Sequence, residues 1–100
     1  MILFHTTTEE AAQAIITYGF KDATGTYGTR HEYTGVWFSN IPLDANEGPQ
    51  GEIVLKITTP LMEEELNYYE WKQEGISYRE WLIPSEIINK NIKIEIFEKE

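Results

Sequence analysis

Three short apolar stretches of this chain each carry a group that an ordinary strand does not need. His5 closes the run Met1-Ile2-Leu3-Phe4-His5, and Trp37 sits inside Gly35-Val36-Trp37-Phe38-Ser39-Asn40. Glu80 interrupts Tyr78-Arg79-Glu80-Trp81-Leu82-Ile83. An imidazole, an indole and a carboxylate drawn from three strands into one cleft would hold a flat, cationic cofactor, because an aromatic face attracts positive charge. Each group also has an ordinary alternative. A lone His at a strand end serves as a structural hydrogen-bonding residue, and a Trp between Val36 and Phe38 reads equally as core. Glu80 is the sharpest anomaly, since a carboxylate is costly to bury without a partner. Its own alternative is an edge strand with the carboxylate in water. If that strand alternates, Tyr78, Glu80 and Leu82 share one face, and Arg79, Trp81 and Ile83 the other.

The elements that must position these groups follow from periodicity and punctuation. Residues 2–6 read as a buried strand. Thr7 and Glu10 have capping-box spacing, and Ala11, Ala12, Ile15 and Ile16 recur at helical spacing up to a terminator at Gly19. Residues 21–34 contain two glycines and four threonines without a period, which predicts a long loop. A strand over 35–39 is followed by a second loop from Asn40 to Gly51, with Asn46-Glu47-Gly48-Pro49 at its tip. Ile53, Leu55 and Ile57 alternate as one face of a strand. The acidic segment 63–71 predicts one or two helical turns with Glu63-Glu64-Glu65 as a solvated face, broken at Gly75. A strand over 78–83 stops at Pro84, a helical turn spans Ser85 to Asn89, and Ile92, Ile94 and Ile96 alternate in a closing strand. The order βα, then strands with short helical insertions, predicts an α+β fold over residues 1–100. It reads as a single domain with a strand-rich mixed or antiparallel sheet and one N-terminal helix.

One hundred residues support one core. The absence of cysteine excludes disulfides and thiolate metal sites. Seventeen acidic residues against eight basic ones give a net charge of −9, a field that repels phosphate backbones and disfavours nucleic acid as a partner. Only Lys21 and Arg30 flank the first loop as a local basic patch. No apolar run reaches the roughly 20 residues needed to span a bilayer, and the N-terminal stretch lacks a basic region, so a cytoplasmic protein without a membrane partner is expected. No HExxH, P-loop, GxGxxG or GxSxG pattern is present, and the two histidines show no metal-ligand spacing, so no metal is expected.

The three segments, in their order, resemble ADP-ribosyltransferases of the poly(ADP-ribose) polymerase and diphtheria-toxin branch. Leu3-Phe4-His5-Thr6-Thr7, with a helix closing Tyr18-Gly19-Phe20, resembles that branch's His-Gly-Ser/Thr opening. Gly35-Val36-Trp37-Phe38-Ser39-Asn40 resembles Gly-Ile-Tyr-Phe-Ala/Ser-Asp, and Tyr78-Arg79-Glu80-Trp81-Leu82-Ile83 resembles Tyr-x-Glu-Tyr-Ile-Val. Thr6 stands where the branch has Gly, and Trp37 where it has Tyr. The resemblance implies a split sheet and NAD as substrate. It implies Glu80 and His5 as the catalytic residues, with His5 also on the NAD ribose and Trp37 stacked on nicotinamide. Thr6, Thr7, Ser39, Asn40 and Tyr27 would help to bind the cofactor, and a protein or small molecule would accept ADP-ribose. The alternative is a non-catalytic binding module on the same scaffold, recognising a nucleotide or a basic protein.

Overall fold

The computed structural model describes residues 1–25, 30–43 and 51–98. Tyr27 and the tip of the second loop lie outside them. The elements run β1 (Ile2–Thr7), α1 (Glu9–Tyr18), β2 (Ala23–Gly25), β3 (Tyr33–Ser39), β4 (Ile53–Thr58), α2 (Glu63–Tyr69), β5 (Glu70–Trp71), β6 (Glu80–Ile83), α3 (Ser85–Ile88) and β7 (Lys93–Phe97). The strands form one sheet in the order β5-β6-β3-β1-β4-β7, with β2 added to β3, and every pairing is antiparallel. The fold is therefore α+β, as the element order predicts.

Alternation sorts the sheet into two faces. Leu3, Val36, Phe38, Leu55, Ile57, Trp81 and Ile83 point to one face, where Ala12 of α1, Leu66 of α2 and Ile88 of α3 close over them. Leu3, Leu55, Ile57, Trp81 and Ile83 are wholly buried, each contributing about 1.5–3 kcal/mol of transfer free energy. Trp81 serves by volume: among the described residues its indole N–H has no hydrogen-bond partner. The other face carries Phe4, Thr6, Trp37, Glu80 and Leu82.

Three boundaries differ from expectation. The N-cap of α1 is Thr8, whose hydroxyl accepts from the Ala11 amide at 3.2 Å, because β1 extends through Thr7 in pairing with Ile53. The segment 21–34 is not loop throughout, since β2 pairs with Thr34 and its neighbours on β3. The helical turns expected over 63–71 and 85–89 form as α2 and α3, but α2 ends at Tyr69 so that Glu70 and Trp71 become a strand against β6. Arg79 holds that junction together. Its guanidinium pairs with Glu63 at 2.7 Å and with Glu70 at 2.9 Å and donates to Asn67 at 3.2 Å, so Glu63 is not merely solvated.

Two features fix the exit of α1. Gly19 closes the helix with φ +86°, a left-handed conformation that L side chains rarely adopt. Asn89, just past α3, then clamps Phe20: the Phe20 amide donates to Oδ1 at 2.8 Å, and Nδ2 donates to the Phe20 carbonyl at 2.9 Å.

Candidate functional site

β1 and β3 are joined at one registered position, Phe4 opposite Ser39. Past it the strands part, and a groove of about 360 Å³ opens beneath α1. Its walls include His5 and Thr7 from β1, Ala11 and Ile15 from α1, and Gly35 to Trp37 from β3, with Lys21 on its lining. The lining is mostly apolar, so the few polar groups set what it recognises.

His5 explains how the parting is tolerated. Beyond the one registered pair of β1 with β3, His5 Nδ1 lies 2.7 Å from the Trp37 carbonyl. A carbonyl only accepts, so Nδ1 carries the proton and Nε2 is the acceptor of a neutral ring. Burial lowers the imidazole pKa below its ordinary 6.5, only partly opposed by the bond to the Trp37 carbonyl. The ring is wedged between Phe20 and Phe38, with centroids 5.3 and 5.7 Å away. Among the described residues nothing bonds Nε2.

Glu80 belongs to the opposite face. It pairs across strands with Ser39 and with Trp71, and it lies diagonal to Trp37, whose own partner is Leu82. The Trp37 and Trp71 rings meet edge to face at 5.3 Å, and Tyr33 meets Trp71 at 4.9 Å. A second hollow, about 250 Å³, lies beside this cluster and is lined by Trp71, Tyr78, Glu80, Ile76, Gln73 and neighbouring polar residues. Partial burial raises the Glu80 pKa above the ordinary carboxylate value. Among the described residues its carboxylate joins no hydrogen bond or ion pair, whereas that of Glu70 is taken by Arg79.

No family model, no curated protein and no solved structure matches this chain.

The expected meeting of three side chains in one cleft is corrected by this geometry. The structure brings Trp37 and Glu80 to one face and puts His5 on the other, because His5 alternates with Phe4, the residue that faces Ser39. His5, Thr7 and Trp37 do share the groove, Trp37 through the strand to which His5 bonds. Thr6, Ser39 and Asn40 are engaged within the fold. Thr6 Oγ1 donates to the Leu43 carbonyl at 2.7 Å, and Ser39 Oγ donates to the Ile41 carbonyl at 2.7 Å. Asn40 prolongs the β3–β6 ladder by accepting from the Arg79 amide at 2.8 Å and donating to its carbonyl at 3.1 Å. Glu80 is not on an edge strand in open water, since β5 lies outside it. Sequence reasoning missed Trp71 as its neighbour; the signal was a hairpin spacing around Gly75, hidden by the acidic helical pattern before it. Among the described residues no group of three or more His, Asp or Glu could hold a metal, and no helix is long and apolar enough to cross a membrane.

Proposed function

We propose that this chain is an NAD-binding domain of ADP-ribosyltransferase type, transferring ADP-ribose to an unidentified acceptor. The observation that carries the reading is that His5 and Thr7, named for NAD by the resemblance, line one groove, to which Trp37 brings its backbone while its indole lies on the opposite face. The resemblance implies a split sheet; here β1 and β3 stay within one sheet, joined at a single registered position. In this reading the neutral His5 Nε2 accepts from a ribose hydroxyl. Lys21, on the groove lining, supplies positive charge toward the diphosphate in a chain that is otherwise strongly acidic. Transfer breaks the bond between ribose C1′ and the nicotinamide nitrogen. The bonding electrons leave with nicotinamide, and the acceptor, losing its proton, supplies the new pair. A carboxylate near C1′ stabilises the cationic transition state most where water is scarce. Glu80 is the partly buried carboxylate suited to that role. To reach it, the ribose must pass the sheet where β1 and β3 part.

The position of Glu80 across the sheet from His5 favours a second reading, a non-catalytic nucleotide-binding module. Calorimetry with NAD, followed by nicotinamide release in the wild type and Glu80→Gln, separates the two. Binding with release that is lost in Glu80→Gln supports the transferase. Binding without release supports the module. No binding at millimolar NAD, or binding unchanged in both His5→Phe and Trp37→Ala, refutes both.

A further inference from the structure

The hollow on the Glu80 face has chemistry that the nucleotide groove lacks. Its walls combine the rings of Trp71 and Tyr78 with the Glu80 carboxylate. Trp71 is held in place by edge-to-face contacts with Tyr33 and Trp37. Unpaired carboxylates do not settle among aromatic rings without compensation. Glu80 is only partly buried, and among the described residues no cationic side chain pairs with it: Arg79, the nearest guanidinium along the chain, is engaged by Glu63 and Glu70. Lys72 also lines the hollow, on the side of Glu70. A protonated carboxyl or a bound cation would relieve Glu80, and aromatic walls select a soft, poorly hydrated cation. A methylated ammonium replaces donors with methyl groups that the rings cover.

We propose that the Trp71–Tyr78–Glu80 hollow binds a quaternary or N-methylated ammonium group. The net charge of −9 draws such cations toward the protein. The site lies on the face opposite the His5 groove and stands without NAD, sharing only Glu80 with the transferase reading. The ligand can be a free choline-like molecule or a methylated lysine side chain, since both present the same group.

The test is a nuclear magnetic resonance titration of the full chain with choline chloride, without NAD. Sodium chloride controls for ionic strength, and 3,3-dimethylbutan-1-ol supplies the same shape without charge. Saturable shifts of the Trp71 indole proton are expected, with choline binding about tenfold or more tightly than the neutral isostere, the range open to a cation–aromatic contact. Glu80→Gln and Tyr78→Ala, checked for native spectra, should each weaken binding several-fold. A trimethyllysine peptide binding more tightly than choline identifies a protein side chain as the source, and the reverse identifies a small molecule. Equal binding of choline and its isostere, shifts matched by sodium chloride, or unchanged affinity in Glu80→Gln overturns the proposal. The isostere arm uses the wild-type chain alone, so it decides the matter even where a variant misfolds. Failure of NAD to bind leaves this result untouched, and failure of choline leaves the NAD titration untouched.

Discussion

Replacing Asn89 by Ala removes the clamp that sets Phe20 beneath the groove. Two hydrogen bonds are lost together, Phe20 amide to Oδ1 and Nδ2 to Phe20 carbonyl. At about 0.5–1.5 kcal/mol net for each, the loss is about 1–3 kcal/mol. The lower end applies if water re-solvates the Phe20 backbone from the exposed Asn89 side. The upper end applies if it does not, because the Phe20 residue itself is only 3% exposed. In a chain of this length 1 kcal/mol moves Tm by about 4–8 °C, so a loss of about 2 kcal/mol lowers Tm by about 8–16 °C. Asn89→Asp keeps the acceptor and loses the donor, and it should fall between. Differential scanning calorimetry and urea unfolding on the three proteins measure the series. Phe20 also contacts His5, so the Ala variant should broaden or shift the His5 ring resonances. An Ala variant within about 0.5 kcal/mol of wild type, or an Asp variant worse than Ala, would falsify the clamp argument.

Other perturbations test other joints. Gly51→Ala should destabilise by at least about 2 kcal/mol in urea unfolding, since φ is +106° and a Cβ there would collide with the Thr7 backbone; an unaffected midpoint contradicts that packing. Glu80→Gln should raise stability at pH 7 by under about 1 kcal/mol, after discounting for the solvent on its open side. The raised Glu80 pKa means that its favourable contribution exists below the ordinary 4.5 and is lost as pH rises through the folded value. The gain from Gln should therefore vanish in acid, and a gain that persists there counts against desolvation as its cause. His5 has the opposite sign: its lowered pKa makes stability present above 6.5 and lost as pH falls through the folded value. Thermal melts from about pH 7.5 down to about 5 should fall more steeply for wild type than for His5→Asn, and parallel slopes refute the buried neutral ring.

The sequence made the strands legible wherever one face was buried. Ile53, Leu55 and Ile57 share a face as their alternation predicts, and Trp81 and Ile83 point inward while Glu80 and Leu82 do not. Gly19 marks the helix end because few other residues take its φ. What periodicity lacks is register between distant strands. That Phe4, not His5, faces Ser39 decides which side of the sheet His5 occupies, and a shift of one residue reverses it. Trp71 was hidden for a different reason. Its strand is two residues long and follows a helix directly, so neither period has room to appear.

The lone pairing of Phe4 with Ser39 makes the sheet two panels on a seam. β1, β4 and β7 form one, and β3, β6, β5 and β2 the other. A small rotation about that seam strains no second registered pair between the panels among the described residues; resistance also comes from the helical layer and from the His5 imidazole bonded to Trp37. Protonating His5 removes an acceptor from the groove without removing that bond, whereas deleting the ring releases the panels from each other. Amide exchange in the two panels should then proceed as separate cooperative events, each with its own free energy of opening. The seam is where this fold gives up continuity to gain a mouth.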